Sequence, residues 1–137
     1  MIRKSSLTDK IIFKINFCIY PDDNFDINTI TSLLNIKASK IKLKGAKGSY
    51  TKYKDTSWNY SISSTSIELN EAFDKLLNVF IDKVNILKKI QDKAVINIDI
   101  QYFIYNKIIP AICLSEEQIK FLANFNCSLD CDGYLYS

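Results

Sequence analysis

The chain has 137 residues, 47% of them hydrophobic and 24% charged, with a net charge of +3; that is enough for one hydrophobic core and too little for two, so residues 1–137 read as a single domain. This balance excludes an intrinsically disordered chain, and no run approaches the roughly 20 apolar residues of a membrane span. The sequence contains no histidine, which removes the commonest general base and every Ser/His or Cys/His catalytic arrangement.

The opening Met1-Ile2-Arg3-Lys4 is basic, but Lys14 and Asn16 interrupt the apolar stretch that follows. No secretory signal core is legible there, and a cytoplasmic location is expected. Residues 11–20 alternate, with Phe13, Ile15, Phe17 and Ile19 on one face and Lys14, Asn16, Cys18 and Tyr20 on the other, the period of a half-buried strand. Pro21-Asp22-Asp23-Asn24 ends it. Asp26 can accept from the first free amides of a helix over 27–35, whose buried stripe is Ile27, Ile30, Leu33 and Leu34. Asp22, Asn24 and Asp26 echo the start of a calcium loop, but Ile27 and Leu33 stand where its glycine and glutamate belong; helix capping explains the same side chains.

Residues 36–55 show little periodicity and read as a long loop, with an extended stretch at Lys40 to Lys44. Trp58, Tyr60 and Ile62 then alternate with Ser57, Asn59 and Ser61, a second strand with its aromatic face toward the core. Thr65-Ser66-Ile67-Glu68 has the form of a capping box and predicts the start of the longest helix. Its main face is Leu69, Phe73, Leu76, Leu77, Phe80, Val84 and Leu87; Val79, Ile81, Ile86 and Ile90 lie off that face, which calls for either a kink near Asp82 or burial on two sides. Val95 to Ile104 is a third strand, which Tyr105-Asn106-Lys107 is expected to turn back into a hairpin with Ile108 to Ile112. Ser115-Glu116-Glu117-Gln118 is a second capping box, opening a helix through Ile119, Leu122 and Phe125, and Cys127 to Leu135 closes the chain as a strand. The expected class is α+β: a single mixed, mostly antiparallel sheet in the order β-α-β-α-β-β-α-β, with helices packed on one face.

Three groups could carry function. Lys37, Lys40, Lys42, Lys44, Lys47, Lys52 and Lys54 occur with no acidic residue between them, interleaved with Tyr50 and Tyr53. They hold +7 and leave −4 on the rest of the chain, a polarised surface that attracts phosphates or an acidic protein in a salt-dependent way; a solvated loop with no dedicated ligand is the plainer reading. Gly45-Ala46-Lys47-Gly48-Ser49 lacks the spacing of a phosphate-binding loop. Asp130 and Asp132 share a strand face, and with Asp99 on a neighbouring strand they could hold a metal or share a proton; the wet face of an exposed sheet is the plainer reading. The four cysteines, Cys18, Cys113, Cys127 and Cys131, form no C-x-x-C pair and read as reduced thiols.

Phe25-Asp26 leading into Ile30-Thr31-Ser32-Leu33-Leu34-Asn35-Ile36, Gly45 after a basic run, Trp58 in its strand, and the closing Ser128-Leu129-Asp130-Cys131-Asp132-Gly133-Tyr134 together resemble the bacterial domain of unknown function family 4279 (DUF4279). The resemblance spans nearly the whole chain. It departs at Asn35, where a helix-ending glycine is expected, at Ala38 in place of proline, and at Cys131 in place of an aliphatic residue. It implies a small stand-alone protein without established catalysis, and by analogy an immunity partner to a toxin.

The function expected from these observations is a non-enzymatic binding protein, an immunity-type inhibitor docking on a toxin or other protein, with Lys42, Lys44, Lys47, Lys52 and Tyr53 as contacts and no cofactor, metal or membrane. Two alternatives stand beside it: a nucleic-acid-binding module using the basic loop 37–54, and a metal-dependent enzyme using Asp99, Asp130 and Asp132.

Overall fold

The alternation at the start of the sequence becomes β1 (Ile11–Pro21), and the isoleucine-rich run becomes β4 (Ala94–Tyr105). The computed structural model describes residues 11–105 and 108–136. Between those strands lie α1 (Ile27–Leu34), β2 (Lys40–Lys42), β3 (Ser57–Thr65), α2 (Leu69–Phe80) and α3 (Val84–Ile90); α4 (Glu116–Ala123) and β5 (Cys127–Tyr136) follow. The five strands form one sheet in the order β2-β3-β1-β4-β5. Its three pairings on the β2 side of β4 are antiparallel, and β4 with β5 is parallel. The chain is thus α+β with one mixed, mostly antiparallel sheet, as the alternating pattern predicts.

Helices cover one face of the sheet. Phe13, Ile15, Phe17 and Ile19 of β1 and Ile96, Ile98 and Ile100 of β4 are buried beneath Leu69, Phe73, Leu76 and Phe80 of α2. Phe80 is the hub: its ring stacks on Phe17 at 4.2 Å and meets Trp58 and Tyr60 edge-on at 6.4 and 5.5 Å. Burying a side chain of this size stabilises by about 1.5–3 kcal/mol, with more from the ring geometry. Trp58 is fully buried, and its indole N–H donates to Thr31 Oγ1 at 3.0 Å, which ties β3 to α1.

The local signals act much as the sequence implies. Asp26 caps α1 by accepting from the Asn28 amide, and Ser115 with Gln118 forms the reciprocal capping box of α4. The long helix breaks at a 3-10 turn over Ile81–Lys83, at the predicted kink. The capping box at Thr65 to Glu68 does not form, because Thr65 is still paired with Ile12 as part of β3. The helix begins at Leu69, whose amide donates to the carbonyl of Ala111.

The same bond corrects the predicted hairpin. Residues 108–112 add no strand to the sheet, since both edges of β4 are taken by β1 and β5. Instead Ala111 bridges to the start of α2, its carbonyl accepting from Leu69 at 2.9 Å and its amide donating to Ile67 at 3.0 Å. The turn residues Asn106 and Lys107 lie outside the described residues, as do residues 1–10. The remaining strand of the sheet is instead β2, near the start of the basic segment and paired with β3 at the edge away from β5, within the stretch at Lys40 to Lys44 expected to be extended.

Candidate functional site

The face of the sheet turned away from the helices carries polar side chains. Register places Lys40 and Lys42 of β2 next to Asn59 and Ser57, Asn59 and Ser61 next to Cys18 and Asn16, and Lys14 and Asn16 next to Gln101 and Asp99. Asp99 and Gln101 in turn stand next to Asp130 and Asp132 of β5. The face therefore runs from lysine at one edge, through amides and hydroxyls, to aspartate at the other. Ser61 donates to Asn16 Oδ1 at 2.8 Å and Asn59 Nδ2 to Ser57 Oγ at 2.9 Å, a network that fixes the middle. A cavity of about 500 Å³ opens here between Lys14, Lys42, Asn16, Ser63 and Asp99.

The basic segment beyond β2 is folded. The Gly45 amide donates to the Tyr53 carbonyl, the Tyr53 amide to Ala46, and the Gly48 amide to Thr51, so residues 43–56 close as a small hairpin. Gly45 sits at φ 84°, where a side chain is strained. The hairpin turns the Tyr53 ring under two cations, with Lys40 Nζ 5.7 Å and Lys42 Nζ 5.5 Å from its centre; each such contact contributes about 0.5–1 kcal/mol at an exposed site. Lys47 and Lys52 are bridged directly across from one another, and Tyr50 at the tip is 99% exposed.

The five predicted contact residues thus divide. Lys42 and Tyr53 meet, joined by Lys40, and Lys47 and Lys52 pair in the hairpin. Lys44 departs: it lines a separate cavity of about 330 Å³ with Asp22, Asp23, Asp26 and Asp55. The sequence reading did not single out Lys14, Asn16 and Gln101 as site residues; the alternation of β1 and β4 placed them on the wet face, but only the pairing of distant strands brings them beside Lys42.

Asp99, Asp130 and Asp132 do share the open face. Burial holds the Asp99 carboxyl above the usual carboxylate range, and the charges of Asp132 and then Asp130 add to this. Among the described residues, no group of three or more histidine, cysteine, aspartate or glutamate side chains is gathered so as to hold a metal ion. All four cysteines are free thiols. Burial pushes the Cys18 thiol up, against the pull of its hydrogen bond with Tyr20, which disfavours the reactive thiolate. Among the described residues, no helix is long and apolar enough to cross a membrane.

No curated protein and no solved structure matches the chain. The sequence model of one family, described as "Domain of unknown function (DUF4279)", matches residues 11–136, from the first residue of β1 to the last of β5. Every strand and helix among the described residues lies inside that span, so the chain belongs to the DUF4279 family.

Proposed function

We propose that this is a non-enzymatic binding protein that docks an acidic protein surface on its lysine hairpin and the adjoining open sheet face. The observation that carries the reading is the gathering of Lys40 and Lys42 over one Tyr53 ring with Lys47 set opposite Lys52. Like charges placed directly across a strand pair destabilise it, and an anionic partner relieves that repulsion. The fully exposed Tyr50 beside them is the kind of aromatic anchor that interfaces bury. An immunity-type inhibitor docking on a toxin is one protein that would use such a surface.

The test is capture from nuclease-treated extracts of the native host, comparing the native chain with a K40E/K42E/K47E/K52E variant. The expected result is a protein that the native chain retains, the variant loses, and about 1 M salt releases, since screening there acts within about 3 Å. Equal capture by the variant would overturn the reading. In a parallel capture from untreated extract, retention of nucleic acid by the native chain, with no protein retained once nuclease is added, would replace it with the nucleic-acid alternative.

A further inference from the structure

The far edge of the sheet has a different chemistry. β5 is ten residues long and pairs with β4 without interruption, from Ile96 opposite Cys127 to Tyr105 opposite Tyr136. Among the described residues, no strand pairs with its outer side. Alternate residues of a parallel edge turn both N–H and C=O outward, about five of the ten here. Folded proteins usually blunt such an edge by keeping it short, by charged side chains and above all lysine, by proline, by a bulge or by a covering segment; here the only charges on the strand are Asp130 and Asp132, which repel like-charged edges and leave it open to a basic segment. β5 contains neither lysine nor proline, has no break in register, and is exposed from Ser128 to Tyr136.

What the edge does carry is selective. Asp130 and Asp132 stand on the open face, with Asp99 behind them. Beyond them the Tyr134 ring stacks on Phe103 at 5.2 Å and 16°, and Lys14 lies 5.2 Å from the same Phe103 ring on the β1 side. This row of cation, ring and ring ends at Tyr134, which is 43% exposed at the strand edge. On the opposite face Leu129 and Leu135 are exposed.

We propose that the outer edge of β5 docks an extended segment of a partner protein as a sixth strand, one that alternates basic residues, facing Asp130, Asp132 and Tyr134, with apolar residues facing Leu129 and Leu135. Main-chain bonds supply the attachment, and the alternating side chains supply the choice of segment. The aspartates disfavour a second copy of this chain: antiparallel pairing of two β5 strands about Cys131 sets Asp130 of one opposite Asp132 of the other, and like charges so placed repel. The proposal concerns the opposite edge from the lysine hairpin and stands or falls separately from the function proposed above.

The probe is a ten-residue peptide of alternating lysine and valine. Controls are the same peptide with glutamate for lysine and one with two valines replaced by proline. Amide hydrogen exchange and NMR shifts of the native chain are followed up to about 1 mM peptide. The expected result is slowed exchange of outward amides in residues 127–136 with the lysine peptide alone, weakened about five-fold in D130N/D132N. Unchanged β5 exchange, equal effect of the proline peptide, or shifts confined to 43–56 would overturn the proposal. Slowed β5 exchange without peptide, rising with protein concentration, would assign the edge to a second copy instead.

Discussion

Asn35 ends α1 at φ 53°, the left-handed conformation that glycine adopts without strain and asparagine tolerates better than other side chains. The departure noted at this position from the family pattern is therefore chemically small. Gly133 is held by its surroundings instead: a Cβ there would lie 2.3–2.5 Å from the Tyr102 ring, which occupies the space a side chain would need. Gly133→Ala must displace that ring, and a loss of about 1–3 kcal/mol is expected in urea denaturation. Asp99 gives a prediction with a sign. Its raised carboxyl means that the folded chain holds this proton more tightly than the unfolded chain does, so stability falls as pH rises from the ordinary aspartate range through the raised value. Asp99→Asn is expected to melt at a higher temperature than the native protein at pH 7. The advantage should vanish below about pH 4, where both states are protonated; an equal gain at every pH would show that ionisation is not its cause.

At the scale of elements, side-chain period was the legible signal and pairing was not. The two faces of β1, the aromatic face of β3 and the capping box of α4 all follow from neighbours within a few residues. Whether 108–112 folds back on β4 depends on which strands already flank β4, and β5 arrives from later in the sequence. The capping motif at Thr65 failed for a related reason, since strand pairing with Ile12 extends β3 through it. Gln118 shows what local reading leaves out. Beyond capping α4, its side chain donates to the Asn70 carbonyl and to Asp74 Oδ1, both at 2.7 Å, while fully buried. It joins α4 to α2. Gln118→Ala leaves these acceptors without their donor, and a loss of about 1–3 kcal/mol is expected; a drop typical of an exposed cap alone, measured by chemical denaturation, would mean that the inter-helix bonds contribute nothing.

Across the whole molecule, the charge separation visible in the sequence becomes a direction in space. The basic segment lies at the β2 edge and the β5 edge holds Asp130 and Asp132, with the amides and hydroxyls of β1 and β3 between them. The lysines of the hairpin were found from composition, because seven cations without an intervening acid are visible in one dimension. Their division was not, because Lys42 and Lys44 diverge only once β2 and the hairpin fix their positions. Nor could the sequence show that Lys14 stands near Asp99, since β1 and β4 are about eighty residues apart along the chain and their pairing is a non-local choice.

The central position of β1 also bears on how the protein is made. This strand leaves the ribosome first among the described elements, yet one neighbour begins at Ser57 and the other at Ala94. At typical synthesis rates the second arrives roughly 4 to 15 seconds later. Through that interval Phe13, Ile15, Phe17 and Ile19 have no completed sheet to enter, so the nascent chain passes through a vulnerable stage in which a chaperone, rather than its own later segments, has the first opportunity to shield them.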